Sequence, residues 1–470
     1  LLALLMCAIT AIFLLGKLAT PAFDQAQYFR DTASYASMAD VPVTSAYFWA
    51  GERPFTLPLF FKLIGVSSQN YQTPGVMAVV AGWQIGLSIF CWALLGLVLA
   101  WSLRSHWIGG LAYGFILIFS LSYEIGKWDV LLLSESISFS LFALLLAAWI
   151  LLLSLLSRLT RGVARFACLA STILVTVLYT FVRDSNIYYV VIGAAMFAGA
   201  ALLYKRWKPI RGYLLAYLAC ALILLAAQNA SISLGNRWQI FIYDQMAYRI
   251  IPNKQALAYF VRAGLPVNDQ LLKIPKMRGA VYQDLMLHSP EMETVRQWTN
   301  AHGKATYFGY LLSQPFSTII EPVQEASTLL NGTGMDYRVP SSPGLSVPRV
   351  LRGVTRLFFP RAPVWVYAAI WLVLLGACTV GFIYDQQAAA WLTAAVLLIS
   401  MVPLMFLVWH ANPMEIPRHA DQIAIQFRLA GWMILALCLD WSLQRASNRR
   451  NSYSQAAANL IGRLIQVNLK

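Results

Sequence analysis

Residues 130–156 read VLLLSESISFSLFALLLAAWILLLSLL, an apolar run broken by a single charge, Glu135. A helix crossing the hydrocarbon core of a bilayer needs about 20 such residues. Nine more candidate spans follow the same reading, at roughly 1–18, 76–103, 107–124, 166–182, 187–204, 212–230, 364–384, 388–409 and 422–443. Of the 470 residues, 59% are hydrophobic and 12% charged. Soluble domains carry about 25% charged residues, so composition excludes a soluble globular or disordered chain. The sequence predicts an all-α polytopic membrane protein with about ten transmembrane helices. Its 16 Trp and 22 Tyr suit the membrane interfaces.

The basic excess, 35 Lys+Arg against 20 Asp+Glu, falls largely in short loops between apolar runs. There it orients helices, and no nucleic-acid partner is read from it. One set of short loops with the C-terminal tail holds Arg104, Arg158, Arg161, Arg165, Lys205, Arg206, Lys208, Arg211, Arg445, Arg449, Arg450, Arg463 and Lys470, thirteen in all. The opposite set holds Lys127, Arg183 and Arg418. The positive-inside rule then places both termini in the cytoplasm and the long loops outside, as in a bacterial inner membrane. Each of the six cysteines lies in an apolar run, so neither a disulfide framework nor a thiolate metal site is implied. Leu1 opens directly in an apolar run, and the true N-terminus is expected upstream of it.

Four parts follow from this pattern. Residues 1–230 form an N-terminal transmembrane module whose first extracytoplasmic loop is 19–75. Residues 231–363 form a large extracytoplasmic loop, 364–443 the C-terminal transmembrane helices, and 444–470 an amphipathic cytoplasmic tail. Loops as long as these are usually functional or form small domains. Helical stretches are predicted in the second loop at about 254–264, 291–301 and 304–330. They lead through a Pro/Ser/Gly linker, 339–348, into a basic amphipathic stretch, Arg349–Phe359, suited to a membrane surface.

The first loop carries two overlapping Asp-x-x-x-Tyr units, Asp24/Tyr28 and Asp31/Tyr35. At helical spacing each pair shares a face. An Asp so placed can accept a proton from an incoming hydroxyl, or it can simply cap a surface helix. Arg53-Pro54 opens a Pro-interrupted apolar segment, where an arginine can bind a phosphate at headgroup depth or snorkel to the interface. Glu135 is costly inside a membrane unless it faces a polar cavity or a partner, and Arg183-Asp184 can form a second wall of that cavity. Arg418-His419 precedes the last span. Arg428 lies inside that span and is expected to meet a cavity or a partner such as Asp421 or Glu135. Together these residues suggest a cationic, carboxylate-containing cavity at the outer leaflet, suited to a phosphate head with a lipid tail.

These motifs resemble the GT-C superfamily of polyprenyl-phosphate-sugar-dependent membrane glycosyltransferases, which includes protein O-mannosyltransferases and aminoarabinose transferases. The resemblance rests on Asp-x-x-x-Tyr after the first span, Arg53-Pro54 some 20 residues on, Ser134-Glu135-Ser136, Arg183, and Arg418-His419. It covers residues 1–190 well and 365–443 loosely. It implies a bundle of about seven membrane helices with two amphipathic helices in the first loop. It also implies inverting transfer from a polyprenyl-phosphate sugar to a hydroxyl acceptor, outside the cytoplasm and among membrane lipids. Asp31 would be the general base, with Asp24 the fallback, and Tyr35 would orient it. Arg53, Arg418 and Arg428 would hold the donor phosphate, with Glu135, Arg183 and His419 lining the same substrate site.

Many relatives carry Asp-Glu where this chain has Asp31-Thr32 or Asp24-Gln25. The second carboxylate is missing, so no metal site is assigned, and a divalent cation is the one cofactor left open. Two other readings stay beside this one. A polysaccharide polymerase or ligase would lean on arginines of the large loop, such as Arg262 or Arg278. An inactive or accessory subunit would serve a larger membrane assembly.

Overall fold

The computed structural model describes residues 2–19, 26–158, 162–277, 279–331, 349–385, 387–411 and 413–468. Among them the regular elements are helical, joined by an isolated extended bridge between Gln27 and Leu131. The apolar runs become helices because their backbone groups must be satisfied within the segment when lipid surrounds them.

Three short helices follow α1 (Leu2–Ala19): α2 (Arg30–Asp40), α3 (Ala46–Ala50) and α4 (Thr56–Leu63). Then come α5 (Pro74–Ser102), α6 (His106–Phe119), α7 (Tyr123–Gly126), α8 (Ser134–Arg158), α9 (Gly162–Thr180), α10 (Asn186–Leu203) and α11 (Arg211–Leu234). The large loop contributes α12 (Arg237–Gln245), α13 (Lys254–Arg262), α14 (Asp269–Lys273), α15 (Gly279–His288), α16 (Glu293–Trp298), α17 (Lys304–Ser313), α18 (Pro315–Gln324) and α19 (Ala326–Leu330). The chain resumes with α20 (Arg349–Phe358), α21 (Val364–Tyr384), α22 (Ala388–Ala411) and α23 (Ile416–Asn468).

Among the described residues eight helices are long and apolar enough to cross a membrane, or nine with a bent pair counted as one span, where the sequence predicted about ten. The first predicted run forms α1, a shorter apolar helix. The third is broken: α6 meets α7 and the 3₁₀ turn Lys127–Val130 at 56°. At the break the buried Lys127 and Asp129 find partners on other helices. Lys127 Nζ lies 2.5 Å from Asp421 of α23, and Asp129 lies 2.7 Å from Lys17 of α1. These sideways ion pairs satisfy charges that a straight apolar span would strand.

The spanning helices alternate, so both long loops emerge at one end of the bundle and the short connections Leu103–Ser105 and Tyr204–Ile210 at the other. At the core, Trp149 of α8 donates to Tyr217 Oη of α11 (2.6 Å), which bonds Thr176 of α9 (2.9 Å). A Cβ on Gly193 of α10 would lie 2.5 Å from the Trp149 ring. Only glycine lets these two helices close together, as small residues do in membrane bundles.

The large loop builds its own core from Ile242, Tyr243, Met246, Phe260, Leu271, Tyr282 and Trp298, among others. It docks on the bundle where Gln245 and Tyr307 both donate to the His410 carbonyl of α22, at 2.6 and 2.8 Å. The stretch predicted as one helix at 304–330 is three, α17 to α19, with Pro315 starting the second. The linker 339–348 lies outside the described residues. The predicted amphipathic stretch after it is helical in α20, and Phe358 and Phe359 are buried, the latter stacked on Phe119. The predicted tail, 444–470, is helical as far as Asn468 and continuous with the last span, in the 53-residue α23.

Candidate functional site

The backbone first brings α2 against α8. Gln27 N donates to Val130 O (3.0 Å) and Leu132 N to Gln27 O (2.9 Å), so the two helices begin side by side. Thr32 strengthens the join: its Oγ1 accepts from Phe29 N (2.9 Å) and donates to Leu132 O (2.8 Å). The residue standing where many resembled proteins have Glu therefore spends its side chain on capping α2. Asp31, one position earlier in the first turn, is left to face the helix ends around it.

Asp31 accepts from Arg53 Nη2 (2.7 Å) and from Arg418 Nη1 (2.9 Å). Arg418 also binds Glu135 through Nε (2.5 Å) and Nη2 (3.0 Å), and Glu415 through Nη1 (3.0 Å). Arg183 lies 3.4 Å from Glu135 and contacts His419 Nδ1, which must be unprotonated to accept from it. Arg53 is braced by Ser34 Oγ (2.6 Å) and lies 4.9 Å over the Tyr35 ring. The i, i+4 partner of Asp31 thus positions the arginine. Three guanidiniums, of Arg53, Arg183 and Arg418, meet three carboxylates, of Asp31, Glu135 and Glu415. The cluster is formally neutral.

Burial alone would raise the Asp31 carboxyl, but the Arg53 and Arg418 guanidiniums hold it well below the usual carboxylate range. Glu415 is shifted the other way: burial pushes it up, against the pull of Arg418. Next to Arg183 and His419, a shallow cleft of about 10 Å³, room for about one water molecule, lies between α22 and α23, lined also by Leu404, Val408 and Gln422. Ligand sites usually enclose about 300–1,000 Å³, so this cleft does not hold a lipid-linked sugar as it stands.

The structure thus gathers Asp31, Tyr35, Arg53, Glu135, Arg183, Arg418 and His419 at the loop end of the bundle. Asp24 lies outside the described residues. Arg428 is not part of the cluster, and it meets neither Asp421 nor Glu135. Its Nη1 donates to Leu330 O (2.5 Å), its Nη2 to Pro360 O (3.2 Å) and Tyr367 Oη (3.2 Å), and it lies 4.7 Å over Phe359. It clamps α19 and the lead-in to α21 onto α23. Seven residues are about 10.5 Å along a helix, and Asp421 instead finds Lys127 beside it. Asp184 turns away from Arg183 to Arg237 of α12 (3.0 Å).

The sequence reading missed Asp244. This buried carboxylate of α12 accepts from Tyr282 Oη (2.5 Å) and Gln283 Nε2 (3.0 Å). Burial, with the charges of Glu415 and Asp31 adding to it, pushes its carboxyl up to about 6. One signal for it was present: an acid flanked by Ile242, Tyr243 and Met246, just beyond an apolar run. Among the described residues no group of three or more His, Cys, Asp or Glu is placed to hold a metal ion, so no step is assigned to one.

No protein family and no curated protein matches the chain. Among solved structures it is similar to the archaeal oligosaccharyltransferase AglB of Archaeoglobus fulgidus in complex with an inhibitory peptide and a dolichol-phosphate. The identity is 12% and the TM-score 0.47, over 95% of this chain and 52% of that one. The apo form of the A. fulgidus enzyme gives 12% identity and a TM-score of 0.47, over 96% and 52%. The chain spans about half the length of these structures. A likeness at this level establishes neither family membership nor a shared reaction.

Proposed function

We propose that the chain is an integral-membrane, inverting glycosyltransferase of the GT-C type, moving a sugar from a polyprenyl-phosphate donor to a hydroxyl acceptor on the extracytoplasmic side. The observation that carries this reading is the meeting of Asp31 with Arg53 and Arg418 at the loop end of the bundle. A carboxylate beside convergent guanidiniums at the loop end of an apolar bundle suits a base and the phosphate of a lipid-linked donor. The basic short loops at the other end support an extracytoplasmic position for this end.

In the reaction, Arg53, Arg183 and Arg418 hold the donor phosphate. The acceptor oxygen attacks the anomeric carbon as the bond from that carbon to the phosphate oxygen breaks. The electron pair leaves on the phosphate, where the guanidiniums stabilise the growing charge. The acceptor proton passes to Asp31. While two arginines hold Asp31 it is a weak base, so the arginines must transfer from the carboxylate to the phosphate before it can accept a proton. Donor binding and base activation are thereby one event.

Native mass spectrometry of the purified protein tests the reading by identifying the lipid that travels with it. The expected result is a polyprenyl phosphate, with or without sugar, lost in Arg53→Ala and Arg418→Ala. Bulk phospholipid retained equally by all three proteins would overturn it and favour a structural subunit.

A further inference from the structure

Asp244 is a buried carboxylate near the arginine cluster that, among the described residues, no arginine holds. Both of its hydrogen bonds reach Oδ1 and come from neutral donors, Tyr282 and Gln283 of α15. Among the described residues Oδ2 accepts none. Tyr282 Oη also touches Met414 Sδ (3.4 Å), and the next residue, Glu415, binds Arg418 at 3.0 Å. A chain of contacts therefore runs from Asp244 through Tyr282 and the segment before α23 into the cluster.

The charge count decides what this chain can do. Three guanidiniums already face three carboxylates, so an arriving phosphodiester leaves the buried cluster with one negative charge in excess. Uncompensated charge in such surroundings is costly, and protonation is the usual relief. Glu135 is held by Arg183 and Arg418 and Glu415 by Arg418, while Asp31, which the phosphate releases from its arginines, has to stay ionised to receive the acceptor proton. The titratable groups facing Asp244 are Tyr282 from α15, Tyr248 from the turn after α12, Glu415 from before α23, and Asp31 from α2. None of them is a cation. We propose that binding of a lipid phosphodiester at the arginine cluster is coupled to uptake of a proton by Asp244.

The proposal rests on the reading that the arginines take a lipid-linked phosphate, and it adds the large loop as the element that answers the charge. A carboxyl already lifted to about 6 is poised for this. The added negative charge raises it further, so Asp244 gains a proton and the headgroup binds more tightly as the pH falls. A rise of about one unit would give uptake of about 0.4 proton at pH 7, and binding roughly tenfold tighter at pH 5 than at pH 8.

The test is calorimetric titration of the full chain in detergent with farnesyl methyl phosphate, a diester whose own charge is constant over that range. Two buffers of different ionisation enthalpy at pH 7 report the protons taken up. The wild type is expected to take up a fraction of a proton, and Asp244→Asn, which keeps the accepting Oδ1, none. Intact binding without uptake in the wild type, or uptake undiminished in Asp244→Asn, would overturn the coupling while leaving the glycosyltransferase reading standing. Absence of binding would overturn that reading itself. Dimethyl phosphate, lacking the tail, is expected to bind far more weakly. Equal affinity for it would overturn a lipid headgroup as the ligand.

Discussion

Asp31 and Arg418, 387 residues apart in sequence, meet at 2.9 Å. That contact joins the first long loop to the last membrane helix, and Glu135 on α8 completes it through the same guanidinium. The arrangement makes the two arginines that hold Asp31 unequal. Arg418 is buried against Glu135, which is fully buried, whereas Arg53 is about a quarter exposed.

Arg53→Ala and Arg418→Ala should therefore separate binding from stability. Removing Arg418 strands a buried carboxylate and is expected to cost about 3–5 kcal/mol. Removing Arg53 from a partly exposed pair should cost about 1 kcal/mol or less. Thermal unfolding in detergent would show a large loss for the first and a small one for the second, with headgroup binding weakened in both. Equal destabilisation would contradict the assignment of Arg418 as the buried hub.

Arg428 gives the converse expectation. Its guanidinium serves the Leu330 and Pro360 carbonyls and lies outside the cluster. Arg428→Gln should lower stability by about 1–3 kcal/mol, since buried acceptors are left unpaired. Affinity for a phosphodiester should stay within about twofold of wild type. A loss of affinity as large as that in Arg53→Ala would place Arg428 at the headgroup after all.

Lys17 and Asp129 form an ion pair in which Lys17 is buried and Asp129 nearly so. Lys17→Met alone leaves a buried carboxylate and should cost about 3–5 kcal/mol, whereas adding Asp129→Leu should recover most of the loss. A double-mutant cycle on thermal midpoints measures this directly. Simple additivity of the two losses would show that the pair does not interact.

Asp31 and Asp244, two of the shifted carboxylates outside the spans, predict opposite pH behaviour. Asp31 is depressed when folded, so its contribution is present above the unfolded value, about 3.9, and disappears as the pH falls through the folded one. Asp31→Asn should flatten the acid limb of the stability profile. Asp244 is raised to about 6, so its ionisation costs stability as the pH climbs from about 4 through 6. Asp244→Asn should be more stable than wild type at pH 8, by up to about 3 kcal/mol, and the gain should vanish below pH 4. A gain independent of pH would point to packing rather than charge.

Much of the architecture was legible because lipid imposes a simple rule on sequence. Eight apolar runs became full-length spans, and the residues singled out on α2, α8 and α23 converge. What escaped depends on pairings that no local pattern encodes. The break after α6 follows from Lys127 and Asp129 reaching sideways to Asp421 and Lys17. That break took from Arg428 the partner its spacing suggested. Asp244 was missed because the large loop has no motif, and its surroundings come from α15 and the segment before α23.

The central claim is that a donor phosphate replaces Asp31 as the partner of Arg53 and Arg418. The most direct measurement is an electron cryomicroscopy structure of the full chain with a bound short-chain polyprenyl phosphodiester. The account predicts phosphate oxygens within about 3 Å of the Arg53 and Arg418 guanidiniums, with both ion pairs to Asp31 opened. A phosphate bound elsewhere, with Asp31 still held at 2.7 and 2.9 Å by the two arginines, would contradict it.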